Sequence, residues 1–110
     1  MKLPRGAEAI VDIVKLRDYC LSRSHVRGRH KARVFLAACG LAAEDAEEFK
    51  SILLAVAREH EATPGITDRF GTRYVVDFKW ERNERSALIR SSWIVPSDGT
   101  EPRFITCFVL

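Results

Sequence analysis

Between Ser22 and Arg33 the chain reads Ser-Arg-Ser-His-Val-Arg-Gly-Arg-His-Lys-Ala-Arg, which sets two imidazoles, His25 and His30, among Arg23, Arg27, Arg29, Lys31 and Arg33. Histidine exchanges a proton near neutral pH, and guanidinium and ammonium groups neutralise phosphate. Cleavage of a phosphodiester by a neighbouring ribose hydroxyl uses this combination: a base for the hydroxyl, an acid for the leaving oxygen and cations for the charge that develops at phosphorus. Such chemistry needs no metal and no cofactor. His30 is the first choice for general base or acid, His25 the second proton-transfer group and Lys31 the cation at the reacting phosphate. Arg27, Arg29 and Arg33 are the substrate-binding candidates. The same segment also reads as a solvated basic turn that contains histidine, the usual fate of a charge run.

These residues need elements to hold them. Asp12 is a possible N-cap for a first helix from about Asp12 or Ile13 to Ser22, with Val14, Leu16, Tyr19, Cys20 and Leu21 as its apolar stripe. A polar turn leads to a second helix over Arg29 to Ala38, ended by Gly40 in the left-handed conformation. Gly28 and the start of that helix offer free backbone N–H groups, an anion site beside the imidazoles. A third helix over about Ala43 to Glu59 opens with Glu44, Asp45, Glu47 and Glu48 and buries Phe49, Ile52, Leu53 and Val56.

After Pro64-Gly65 the apolar period changes from helical to alternating. Strands are predicted over about Thr72 to Trp80, Ala87 to Val95 and Arg103 to Val109, with a hairpin turn at Glu81 to Glu84 and a short fourth strand at Glu61 to Thr63. The expected fold is α+β: three N-terminal helices packed on a three- to four-stranded antiparallel sheet. Arg90 and Ser92 alternate with Leu88 and Ile94, and Thr106 lies between Phe104 and Phe108. Polar groups so placed line a cleft or are hydrogen-bonded in the core, and Arg90, Ser92 and Thr106 are the sheet's candidates to complete the site.

At 110 residues, with 46% apolar and 30% charged residues, one domain over residues 1–110 is expected. Cys20, Cys39 and Cys107 lack the short spacings of a zinc site and read as small core residues, so no metal ligand set is predicted. No glycine-rich phosphate loop, zinc-protease helix or Gly-x-Ser-x-Gly elbow occurs. Net charge is only +3, but Lys15 to Arg33 holds seven Lys or Arg against Asp18, and Glu44 to Glu61 holds six acids against Lys50 and Arg58. That polarity marks one end of the molecule for anions. Apolar runs are too short for a membrane helix and the opening residues lack a signal-peptide core, so a cytoplasmic protein without membrane contact is expected.

The chain resembles a bacterial family described mainly as a domain of unknown function. The resemblance rests on Lys2-Leu-Pro4, Ala9-Ile-Val-Asp12, Lys15-Leu-Arg-Asp-Tyr19 and Leu21-Ser22. It continues through His25, Gly28-Arg-His-Lys-Ala-Arg-Val-Phe35, Glu61-Ala-Thr-Pro-Gly65, Gly71-Thr-Arg-Tyr-Val-Val-Asp77 and Ser92-Trp-Ile94. This chain departs from the family pattern at Val26, where a proline is usual, and in a shorter hairpin at Arg82-Asn-Glu84. Members occur as small stand-alone proteins and as C-terminal modules of polymorphic or phage-capsid-linked toxins, and the helices-then-sheet order is similar to the barnase, EndoU, colicin and RelE ribonucleases. The resemblance implies a metal-independent endoribonuclease toxin that acts on RNA and is held by a small acidic antitoxin or immunity protein. The competing expectation is a non-enzymatic protein- or nucleic-acid-binding module of such a two-protein system, which needs the positive charge but not the imidazoles.

Overall fold

A computed structural model describes residues 1–110. The architecture is α+β, with three helices over the stretch from Ile13 to Glu59 and a four-stranded antiparallel sheet in the C-terminal part of the chain. Helix α1, Ile13–Lys15, is capped by Asp12, whose carboxylate accepts from the Val14 N–H at 3.0 Å, and continues as a π turn over Leu16–Cys20. Helix α2 spans Arg29–Cys39 and ends at Gly40, whose φ of 69° supplies the left-handed cap that the sequence predicts. The expected third helix divides: Ala43–Asp45 is a tighter 3₁₀ turn and α3 proper is Ala46–Glu59. The division has a local cause, because the Asp45 carboxylate bonds back to the Ala42 N–H at 2.9 Å.

The strands β1, Thr63–Asp68, β2, Gly71–Arg82, β3, Arg85–Pro96, and β4, Arg103–Val109, pair in chain order. The first strand is longer than the predicted Glu61 to Thr63 and starts later, and Glu61 instead bridges to Lys2. The β2–β3 hairpin is also tighter than predicted, because only Asn83 and Glu84 form the turn, at φ 50° and 65°. Both take the left-handed conformation that two-residue hairpins require, here without glycine. Arg82 and Arg85 hold this hairpin to the helices. Arg82 pairs with Glu48 at 2.8 Å and donates to the Gly40 carbonyl at 2.6 Å, and Arg85 donates to the Leu36 carbonyl at 3.3 Å.

One core of 22 buried residues lies between the helices and one face of the sheet. It includes Leu16, Phe35, Phe49 and Leu53 from the helical side and Val76, Phe78, Trp80, Ile89 and Trp93 from β2 and β3. Both indoles are buried and hydrogen-bonded: Trp80 donates to the Cys39 carbonyl at 3.2 Å and Trp93 to the Ser91 hydroxyl at 2.9 Å. All three cysteines are free and buried.

A bulge in β4 positions the site. Phe104 pairs with Trp93 and Thr106 with Ser92, so Ile105 is an extra residue on the edge strand. The sequence alternation sets Phe104, Thr106 and Phe108 on one face, and the bulge breaks that set. Phe104 and Cys107 are buried, whereas Thr106 and Phe108 are half-buried.

Candidate functional site

The π turn, the loop to α2, the first turns of α2 and the bulged strand β4 converge at one edge of the sheet. In the π turn the Leu21 N–H donates to the Leu16 carbonyl at 2.8 Å, a wider turn than an α-helix makes. Within it Cys20 is fully buried while Tyr19 stays half-exposed above the β4 edge. Gly28 is buried against this turn. A Cβ there would lie 2.2 Å from the Tyr19 carbonyl oxygen, so glycine lets α2 start in contact with Tyr19.

His25 organises the loop. Its Nδ1 accepts from the Arg27 N–H at 3.1 Å and the Gly28 N–H at 3.0 Å, and its carbonyl accepts from the Arg29 N–H at 2.9 Å. These bonds occupy donors at the helix start that the sequence analysis expects to be free for an anion. They also fix the ring, because Nδ1 acts as acceptor and a neutral imidazole then carries its hydrogen on Nε2. The ring meets Tyr19 edge-on with centroids 4.8 Å apart.

Lys31 lies one step further along α2. Its ammonium donates to the Thr106 hydroxyl at 2.9 Å and stands 5.7 Å from the Tyr19 ring centre and 5.8 Å from that of Phe108, within cation–π reach. The Thr106 hydroxyl is 3.8 Å from Cys20 Sγ. The neighbouring Cys107 thiol pulls the Cys20 thiol down to about 6 against the effect of burial, with smaller help from Thr106 and Lys31. Burial, reinforced by Cys20, pushes Cys107 up. The result is one cluster: Tyr19, His25, Lys31 and Thr106, with the two thiols beneath.

The remaining candidates lie around it. His30 is exposed on the first turn of α2, and Arg27, Arg29 and Arg33 are exposed with no ion pair to any carboxylate. Ser92 is directly opposite Thr106 in the sheet. Arg90 is engaged elsewhere. It binds Asp77 through both Nε, at 2.8 Å, and Nη2, at 2.9 Å, and holds the Asp77 carboxyl below the ordinary range. Together with Glu61, Thr63 and Val75 this pair lines a separate cleft of about 370 Å³. The structure thus joins His25, Lys31 and Thr106, sets Ser92 beside them, and leaves His30 and Arg90 outside their contacts.

Sequence reasoning missed Tyr19, which reads as one member of an apolar stripe until the π turn lifts it over Lys31. A second cleft of about 370 Å³ was missed as well; Val14, Lys15, Asp18, Tyr19, His25 and Ile105 line it. Only the bulge at Ile105 brings β4 to that wall. No group of three or more His, Cys, Asp or Glu side chains converges on a common point. No helix is long and apolar enough to cross a membrane.

A search of curated proteins gave no match. Among solved structures, a chain of a contact-dependent growth inhibition toxin–immunity protein complex from Klebsiella pneumoniae 342 superposes with a TM-score of 0.60 and 20% identity, covering 96% of each chain. At that identity the likeness is one of fold. The sequence profile of a domain of unknown function, DUF6883, matches residues 2–110, and the chain therefore belongs to the DUF6883 family.

Proposed function

We propose that this chain is a toxin-type, metal-independent endoribonuclease domain whose reaction centre is the Tyr19, His25, Lys31 and Thr106 cluster. The observation that carries the reading is the 2.9 Å bond from the Lys31 ammonium to Thr106, with Lys31 and the His25 imidazole both set against the Tyr19 ring. An ammonium held at a hydroxyl, with aromatic rings on two sides, is a fixed positive charge where phosphate charge can develop. His25 Nε2–H is oriented as a hydrogen-bond donor to the phosphate oxygens, and the Lys31 ammonium gives the leaving oxygen its proton. His30 takes the ribose hydroxyl proton, the RNA strand wrapping the start of α2 to reach both imidazoles. Arg27, Arg29 and Arg33 form the cationic rim that guides the backbone. A toxin role is supported by the resemblance to toxin modules and by the shared fold with a chain of a toxin–immunity complex. A small acidic immunity protein is the partner that complements this rim.

A second reading has one observation behind it. The complex that shares the fold contains both a toxin and an immunity protein, so a non-enzymatic binding role in such a pair accounts for the same likeness. Incubating the purified chain with total RNA in EDTA separates the two. The nuclease reading predicts discrete fragments from the wild type and a rate about 10² lower for His30→Ala at nearly unchanged RNA affinity. Intact RNA under all conditions, with tight binding to a partner protein, favours the binding role.

A further inference from the structure

The phosphate chemistry leaves one buried group unused, although that group touches the reaction centre. Cys20 ends the π turn, is buried from water and sets its Sγ 3.8 Å from the Thr106 hydroxyl. The hydroxyl has two partners within the chain, Cys20 and Lys31. An ammonium has hydrogens to give and no lone pair, so in the 2.9 Å contact Lys31 donates and Thr106 accepts. The single hydrogen of Thr106 is therefore not spent on Lys31, and Cys20 Sγ is the other partner that the chain offers it. Sulfur accepts best as thiolate, and Cys107 pulls the Cys20 thiol down to about 6 against burial, with Thr106 and Lys31 adding to the effect. Cys107 from β4 and Lys31 from α2 are the titratable groups that face it. Burial pushes the Cys107 thiol up, so Cys107 keeps its hydrogen and the negative charge belongs to Cys20, beside Thr106. A buried thiolate needs a donor, and Thr106 supplies one.

We infer that Cys20 is a positioning residue for Lys31: its sulfur accepts the Thr106 O–H and so keeps the lone pairs of that hydroxyl turned to the ammonium. The inference rests on the nuclease reading for its catalytic consequence, because Lys31 is there the group that protonates the leaving oxygen. A lysine ammonium sits on a flexible four-carbon stem, and only contacts near its end fix it. The Tyr19 and Phe108 rings, 5.7 and 5.8 Å from the ammonium, attract it without setting a direction. The Thr106 hydroxyl supplies the directed bond. A hydroxyl free to rotate turns its own hydrogen toward Lys31 for part of the time and loses that bond. Cys20, carried into the core by the π turn, stops the rotation from the far side of Thr106.

The test uses the full chain with Cys20→Ala, Cys20→Ser and Thr106→Val, each checked for folding by circular dichroism. Two readouts need no RNA. The ultraviolet absorbance of thiolate, followed against pH, should rise in the wild type around pH 6, lose that step in Cys20→Ala and show it moved upward in Thr106→Val, where the donor is gone. The Lys31 ammonium signal in proton–nitrogen NMR should be sharp in the wild type and Cys20→Ser and broadened by exchange with water in Cys20→Ala. In cleavage, Cys20→Ala should lower kcat by about tenfold with KM nearly unchanged, as for a displaced catalytic group. Cys20→Ser keeps an acceptor and should recover most of that loss. Thr106→Val preserves the side-chain shape, so it tests the contact even where a Cys20 variant fails to fold. Thiolate that forms only in the ordinary range of about 8.5, or a step that Thr106→Val leaves in place, overturns the proposal. So do an equally sharp Lys31 signal in Cys20→Ala, a loss carried by KM alone, and a loss that serine does not recover. The nuclease reading fails separately. If the absorbance and the Lys31 signal behave as expected while no RNA is cut, the positioning of Lys31 stands and catalysis does not; if RNA is cut at the wild-type rate by Cys20→Ala, the reverse holds.

Discussion

Replacing His25 in two ways separates its structural role from its chemical one. The ring accepts two backbone N–H groups through Nδ1, at 3.1 and 3.0 Å, and its Nε2–H makes no bond within the chain. Each ordinary hydrogen bond contributes about 0.5–1.5 kcal/mol net. The Arg27 N–H lies at the surface, where water replaces the lost acceptor, whereas the Gly28 N–H is part-buried against Tyr19. His25→Ala is therefore expected to destabilise by roughly 1–2 kcal/mol, mostly at Gly28. For a domain of this size that lowers Tm by roughly 4–10 °C. His25→Asn places a carbonyl oxygen where Nδ1 was, so it keeps the acceptor and loses only the ring's edge contact with Tyr19. Thermal unfolding followed by circular dichroism should set Asn well above Ala. Cleavage of RNA should fall by about 10² or more in both, because neither side chain supplies the Nε2–H. Equal melting temperatures for the two variants would refute the loop argument, and wild-type cleavage by His25→Asn would refute the role given to Nε2.

Lys31→Ala is expected to weaken RNA binding and reduce the slope of log affinity against log salt by about 0.7, as for one lost phosphate contact on a single strand, measured by binding titrations at several salt concentrations. In Gly28→Ala the new methyl would sit 2.2 Å from the Tyr19 carbonyl, so α2 must move away from the π turn. A loss of about 1–3 kcal/mol by urea denaturation, with reduced cleavage, is expected. Asp45 has its folded-state value lowered below the ordinary 3.8, first by the Ala42 N–H and then by Arg82. The stabilisation is accordingly complete above 3.8 and is lost as pH falls through the lower folded value. Asp45→Ala should cost about 1 kcal/mol at neutral pH, and its gap to wild type should narrow in acid; a gap that is constant with pH contradicts the assignment.

The sequence made the elements legible because the periodicities are strong. The helices around Leu16, Phe35 and Phe49 and the alternation from Tyr74 to Trp80 lie close to where composition places them. The misreadings are local. The hairpin turn at Asn83-Glu84 carries no glycine to announce left-handed backbone, and it is held by Arg82 and Arg85 contacts to carbonyls far off in the chain. The 3₁₀ turn before α3 comes from one side-chain bond at Asp45.

At the site, the basic segment was visible as a segment but its internal division was not. His30 and Lys31 are neighbours in sequence, and successive helical residues point about 100° apart. Only the position of β4 decides that Lys31 is the one that meets Thr106. Arg90 looked equivalent to Ser92 by alternation, and its partner Asp77 became apparent once β2 and β3 were in register. Tyr19 and Ile105 depend on a π turn and a bulge, two one-residue irregularities that hydrophobic period does not encode.

The central claim is that the cluster around Lys31 cuts RNA through a ribose hydroxyl. Its most direct test is the chemistry of the fragment ends produced by the purified chain from an end-labelled RNA in EDTA, with Lys31→Ala alongside. The account predicts fragments ending in a cyclic phosphate or 3′-phosphate from the wild type and little cleavage by the variant. Intact RNA, fragments bearing 3′-hydroxyl ends, or an equally active Lys31→Ala would contradict it.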